Sequence, residues 1–190
     1  APIGYLTSAE VAVLNDAPDG RNINQGCGST HPEALSEMTA SSAAVLGVAF
    51  DGDADRALFA DESGTIRDGD ATLYLWSHAL AERGELEPRA IVATSMSNLG
   101  LEVALRRDGI EVVRCDVGDR VVVETMRERG LSLGGEQSGH IVHLGLSTTG
   151  DGLLTALQVA RIVVESGRPL SALVAGLPRF PQTLQNIRVR

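Results

Sequence analysis

Asp51, Asp53 and Asp55 stand at alternate positions directly after Leu46 to Phe50, an apolar run that reads as a buried strand. In extended chain, alternate residues face one side, so the three carboxylates are expected to converge. Gly52 and Ala54 leave room between them. Carboxylates this close repel one another unless a cation sits among them, and an all-oxygen donor set suits a hard ion such as Mg²⁺ or Ca²⁺. Arg56 follows at once. A cation and a guanidinium side by side are suited to a phosphate that bridges to metal. The same carboxylates also fit the first three ligand positions of an EF-hand loop, and Glu62 falls on its last. That reading fails because Arg56 stands where such a loop needs glycine for its sharp turn, and because the flanks read as strands.

A second chemical cluster is Gly134-Gly-Glu-Gln-Ser-Gly-His140, directly after the strand expected at Leu131 to Leu133. Glu136, Ser138 and His140 alternate again. In extended chain a carboxylate, a hydroxyl and an imidazole would project together and bracket the hydroxyls of a sugar, with His140 available for proton transfer near neutral pH. Weaker signals lie elsewhere. Asn22 to His31 is polar and glycine-rich, and either shapes a site or merely connects elements. Gly118-Asp119-Arg120 opens a helix, where Arg120 meets a phosphate or Asp119 simply caps. Thr148-Thr-Gly-Asp-Gly152 has the composition of a phosphate cradle, but without Lys it is no P-loop and reads as a helix cap. Ser95 to Asn98 is a candidate crevice lining. His78 and His143 read as structural.

The elements that must position these groups alternate between strand and helix. Strands are expected at Val11–Leu14, Leu46–Phe50, Ala57–Ala60, Ala90–Thr94, Ile110–Arg114, Leu131–Leu133 and Ile141–Leu144. Helices are expected from Pro32 (with Thr30 as a possible cap) to Ala44, and at Ala71–Arg83, Asn98–Arg107, Arg120–Glu128, about Gly152–Val164 and Ser171–Ala175. Gly84, Gly109, Gly130 and Gly167 close four of the helices. Helices of about ten residues between strands predict an α/β protein with mixed, mostly parallel sheets flanked by helices. A break near Asp61 to Asp68 predicts two units: 1–65, a partial α/β domain, and 66–182, a second α/β domain. Residues 183–190 read as an extended lead-out.

Composition narrows the function classes. Apolar residues make up 43% of the 190-residue chain, as in ordinary globular domains, and aromatics only 3%, so Leu, Val, Ile and Ala must fill the core. A net charge of −9 argues against a nucleic-acid binder or an anionic membrane surface. All 16 cationic residues are Arg, so side-chain contacts to phosphate come from Arg or protonated His. Cys27 and Cys115 fit no metal spacing and read as reduced thiols. No apolar run approaches the ~18–20 residues of a membrane span, and Ala1 to Thr7 show no signal-peptide pattern. The expected location is cytoplasmic.

The run Gly47-Val-Ala-Phe-Asp-Gly-Asp-Ala-Asp-Arg56 resembles the metal loop of the α-D-phosphohexomutases, and Gly134 to His140 resembles their sugar-specificity loop. Asn22 to Pro32, Val117-Gly-Asp-Arg120 and Thr148 to Gly152 resemble the branch of that family acting on glucosamine phosphate. Val121 stands where that branch usually carries an aromatic, and Ala1 to Ser8 match poorly. The resemblance implies Mg²⁺ on Asp51, Asp53 and Asp55, catalytic roles for Arg56, His140 and Arg120, and sugar contacts from Glu136, Gln137 and Ser138. It implies interconversion of glucosamine 6-phosphate and 1-phosphate through a phosphoserine and a bisphosphate intermediate. A four-domain architecture is implied too, of which this chain resembles the latter part of the second domain and all of the third. The serine-bearing first domain and the phosphate-binding fourth would then be required partners, and the chain alone would be inactive. A phosphomannomutase or phosphoglucomutase is the alternative enzyme. A non-catalytic metal- or sugar-phosphate-binding module is the alternative of another class.

Overall fold

The computed structural model describes residues 9–183 and Gln185. The Ala1–Ser8 stretch and residues 184 and 186–190 of the expected lead-out 183–190 lie outside the described residues. In chain order the elements are α1 (Glu33–Ser41), β1 (Gly47–Phe50), β2 (Ala57–Ala60), β3 (Ile66–Arg67), α2 (Gly69–Glu82), β4 (Ala90–Thr94), α3 (Leu99–Arg107), β5 (Glu111–Cys115), α4 (Asp119–Arg129), β6 (Leu133–Gly135), β7 (Ile141–His143), α5 (Gly152–Ser166) and α6 (Leu170–Leu173).

They form two sheets, ordered β1-β2-β3 and β5-β4-β6-β7. The second is parallel across β5-β4-β6, with β7 antiparallel on its edge. The first departs from the parallel expectation: β1 pairs antiparallel with β2, Gly47 opposite Ala60 and Phe50 opposite Ala57, and β2 pairs antiparallel with β3. The connection Asp51–Arg56 is too short for a parallel crossover, which needs a dozen residues or more. The acidic run is therefore a hairpin loop.

Strand β4 is buried along its whole length, as a central parallel strand must be. Its residues alternate between two cores. Ile91 and Ala93 join Leu73, Trp76, Leu101, Leu105, Val159 and Ile162, while Ala90 and Val92 join Val122, Met126 and Leu131. Helices α2, α3 and α5 thus cover one face of the sheet and α4 the other. Ala57 and Phe59 of the first sheet belong to the larger core as well, so the hairpin is fixed on the same apolar mass as the second sheet.

Several boundaries move for local reasons. Val11–Leu14 forms no strand: these residues find no pairing partner among the described residues, and Val11 is 74% exposed. Thr30 does not cap α1, whose first turn lacks a side-chain cap. That helix stops at Ser41, short of Ala44, where the Ser41 and Ser42 hydroxyls donate back to the Glu37 and Met38 carbonyls. Ile110 and Leu131 are taken up in closing helices: past Gly109 and Gly130, their N–H groups donate to Leu105 O and Met126 O, both at 2.8 Å. Strands β5 and β6 consequently start later than the apolar pattern implies, and Gly134 and Gly135 lie inside β6 instead of after it.

Candidate metal and sugar site

The hairpin loop brings the three carboxylates together by turning, not by extended alternation. Ala54 takes a positive φ of 60°, and its N–H donates to Asp51 O at 3.2 Å. One carboxylate oxygen from each of Asp51, Asp53 and Asp55 lies within 4.8 Å of the others. The Arg56 backbone N–H donates to Asp51 Oδ1 at 3.1 Å, and its Nε stands 3.5 Å from Asp51 Oδ2 and 3.7 Å from Asp55 Oδ1. Asp55 Oδ1 is buried without a hydrogen-bond partner. Three carboxylates against one guanidinium leave uncompensated negative charge in a cluster of oxygen donors. Those residues fit a hard divalent cation.

The Gly134–His140 run is also a turn. Gly139 N donates to Glu136 O at 3.0 Å, and Glu136 N to His140 O at 2.9 Å. Glu136 and Ser138 do end on one side, with Ser138 Oγ 3.1 Å from Glu136 Oε2. His140 is brought elsewhere. It forms a bridge with Arg56, and its ring, only 2% exposed, sets Nδ1 3.0 Å from Asp55 Oδ2 and 3.6 Å from Asp119 Oδ1. This favours the tautomer with the proton on Nδ1, donated to Asp55. The imidazole thus braces the acidic loop and does not extend the Glu136–Ser138 pair. Gln137 turns inward and donates to the buried Asp70 at 3.0 Å.

Three of the weaker sequence signals prove to hold this arrangement. Gly118 adopts φ 134°, a conformation that favours glycine, and donates its N–H to Glu136 Oε1 at 3.0 Å. Asp119 is no cap; it faces His140 and, with Asp55, forms a second group of three possible ligands. In Thr148–Gly152, Asp151 caps α5 as expected, accepting from Leu154 N at 2.9 Å. The glycines beside it matter for a different reason. A Cβ on Gly150 would overlap the His140 ring, and one on Gly152 would lie 2.6 Å from Arg56 O. The Asn22–His31 loop packs against the hairpin, where Ser29 N donates to Phe50 O at 2.9 Å and a Cβ on Gly52 would meet Ile23 and Asn24. The sequence cue for all three was the glycine, but nothing local names the residue that each glycine must approach.

Arg120 is not gathered into the cluster. Its side chain is 88% exposed and pairs with Glu124 at 2.7 Å, one turn along α4. His78 packs edge-on against Tyr74 and lies 3.3 Å from Asp108, and His143 stacks on Trp76, both structural as expected. Burial lowers the pKa of both rings. Ser95–Asn98 line the rim of grooves that the segment 179–182 closes on its other side.

Residues 68–180 match the family described as phosphoglucomutase/phosphomannomutase, alpha/beta/alpha domain III. The chain belongs to this family. Within it, the chain is 52% identical over 182 residues to a phosphoglucosamine mutase of Streptococcus thermophilus, and 53% identical over 181 residues to one of Symbiobacterium thermophilum. These matches take in 96% and 95% of this chain but 40% of each relative, so the chain spans about two fifths of their length. A phosphoglucomutase/phosphomannomutase family protein of Burkholderia thailandensis shares the fold with a TM-score of 0.68 and 30% identity, over 80% of this chain and 33% of that one. The N-acetylphosphoglucosamine mutase of Aspergillus fumigatus, solved with GlcNAc-6P and magnesium, matches with a TM-score of 0.70 at 21% identity, over 94% of this chain and 46% of that one. No helix among the described residues is long and apolar enough to cross a membrane.

Proposed function

We propose that this chain supplies the metal loop and the sugar loop of a Mg²⁺-dependent mutase that interconverts glucosamine 6-phosphate and glucosamine 1-phosphate through a phosphoserine and a bisphosphate intermediate. The observation that carries this reading is the single structure that joins the two loops. His140, at the end of the sugar loop, donates to Asp55 of the acidic hairpin at 3.0 Å, while Glu136 is tied to the α4 start beside Asp119. Residues that grip a sugar and residues that hold a cation are thereby fixed on one frame.

In this reading Asp51, Asp53 and Asp55 hold Mg²⁺, which when bound would neutralise charge on the transferred phosphoryl group. Arg56 orients that phosphoryl group from beside the carboxylates. Glu136 and Ser138 accept from and donate to sugar hydroxyls, and Gln137 fixes the height of their turn. His140 orients Asp55. Arg120, exposed and held by its pair with Glu124, is available to swing toward a substrate phosphate. Residues 1–65 and 66–182 are assigned to the family's second and third domains, and 183–190 to the lead toward a fourth. The phosphoserine and the remaining phosphate contacts come from domains outside this chain, and closure of the cleft between them excludes water as a competing acceptor. The free thiols of Cys27 and Cys115 fit a cytoplasmic setting.

The test is turnover by a protein carrying this chain together with the other family domains, on glucosamine, mannose and glucose phosphates in parallel. Glucosamine phosphate is expected to be preferred at saturating Mg²⁺. Preference for mannose or glucose phosphate would move the chain to another branch of the family, and no turnover of any of them would remove the catalytic reading.

A further inference from the structure

Asp70 belongs to none of the functional groups described above, yet it lies between two of the molecule's working parts. It is the second residue of α2, 2% exposed, and burial raises its pKa. One oxygen, Oδ2, accepts from two directions: from Gln137 Nε2 in the sugar loop at 3.0 Å, and from the backbone N–H of Asn98 at 2.8 Å. Oδ1 is buried as well, and the Ser97 hydroxyl is the side-chain donor beside the carboxylate. A carboxylate buried this deeply is costly to keep unless donors from other elements hold it.

Asn98 in turn grips the segment after α6. Its Oδ1 accepts from Phe180 N at 3.0 Å while also capping α3 through Gly100 N at 2.9 Å. Its Nδ2 donates to Phe180 O at 2.8 Å and approaches Gln182 Oε1 at 3.3 Å. Gln182 Nε2 closes the clasp on Met96 O at 2.8 Å. A Cβ on Gly100 would overlap Pro178 O, so the segment lies directly on the start of α3. Gln137 and Phe180 are walls of the same groove, about 570 Å³ in volume.

We propose that Asp70 is a positioning residue that couples the sugar loop, through Gln137, to the segment 178–182, through Asn98, so that filling the sugar loop tightens the clasp on that segment. The proposal rests on the reading of Glu136–Ser138 as the sugar-binding turn. The linkage runs through one acceptor atom. Displacement of Gln137 frees Asp70 to shift, and the Asn98 peptide loses the partner that fixes its side chain on Phe180.

The experiment is amide hydrogen exchange at Phe180 in the protein carrying all family domains, with and without glucosamine 6-phosphate, for wild type, Gln137→Ala, Asp70→Ala and Asp70→Asn. Gln137 is half-buried and belongs to neither apolar core, so its truncation leaves the core intact. Asparagine at position 70 keeps an oxygen acceptor for both donors. Without substrate, Phe180 exchange is expected to rise about tenfold in Gln137→Ala and Asp70→Ala, the effect of losing one hydrogen bond to a charged acceptor. Asp70→Asn is expected to stay within about twofold of wild type. With substrate, wild-type exchange slows and the Gln137→Ala variant does not respond. The substrate-free comparison requires no turnover, so it stands even if the mutase reading falls. A Phe180 amide indifferent to Gln137→Ala, or an Asp70→Asn variant as disturbed as Asp70→Ala, would overturn the coupling and leave Asp70 a local anchor.

Discussion

Gly150 leaves no room for a side chain between itself and the His140 ring, and the ring sets the position of Asp55. Gly150→Ala is therefore expected to cost about 1–3 kcal/mol of stability, the usual penalty for overpacking, and to weaken divalent-cation binding by displacing Asp55. Thermal unfolding and a cation titration would check both. Asp53 makes the opposite case. It is exposed, so Asp53→Asn is expected to change stability by less than about 0.5 kcal/mol while lowering cation affinity at least about tenfold. A drop in stability with unchanged cation affinity would remove Asp53 from the metal site. The acidic residues were legible in the sequence because alternation is a local signal. The geometry that joins them was not, because Asp51–Arg56 bends through a turn that depends on Ala54 at positive φ and on Gly152 N donating to Ala54 O at 2.9 Å, a contact from far along the chain.

The β2–β3 turn is organised by one buried carboxylate. Asp61 Oδ1 accepts from Ser63 N, Ser63 Oγ and Thr65 N, and Oδ2 from Arg67 Nε at 2.8 Å. Burial alone would raise the Asp61 pKa, but these donors together hold it below its ordinary value of 3.8. Because the folded pKa is depressed, the stabilisation is complete above that ordinary value and is lost as pH falls through it toward the folded value. Asp61→Asn is expected to cost about 2–3 kcal/mol at neutral pH and to flatten the acid limb of stability against pH, as denaturant titration across the acid range would measure. Asp70 acts in the opposite sense. Its raised pKa means that stability falls as pH climbs from the ordinary carboxylate range through the folded value, so Asp70→Asn is expected to gain stability relative to wild type above that value. Most elements could be read in advance where a buried run or a glycine stop marks them, as at β4 and at α5 with its Asp151 cap and Gly167 close. The two-residue β3 carries no periodicity and was not anticipated. The direction of pairing in the first sheet followed from loop length, not from strand composition.

At the scale of the whole molecule, one core runs from Ala57 on β2 through α2 to Val174, and the Glu62 carboxylate accepts from Ser171 at the start of α6. The acidic hairpin and the second sheet therefore share their packing, and the relation of the two loops is set by buried apolar contacts as well as by His140. Leu73, fully buried in that core, makes none of the polar contacts of the site. Leu73→Ala is expected to cost about 2–5 kcal/mol and to lower cation affinity only to the extent that the fold opens. The most direct measurement of the proposed function is glucosamine 6-phosphate to 1-phosphate conversion by the protein carrying all family domains, titrated with Mg²⁺, for wild type and Asp53→Asn. Saturable Mg²⁺-dependent turnover in the wild type, with the Mg²⁺ requirement shifted sharply upward or turnover abolished in Asp53→Asn, is the expected result. Equal turnover by both proteins at limiting Mg²⁺ would contradict the assignment of the acidic hairpin as the metal centre of a phosphosugar mutase.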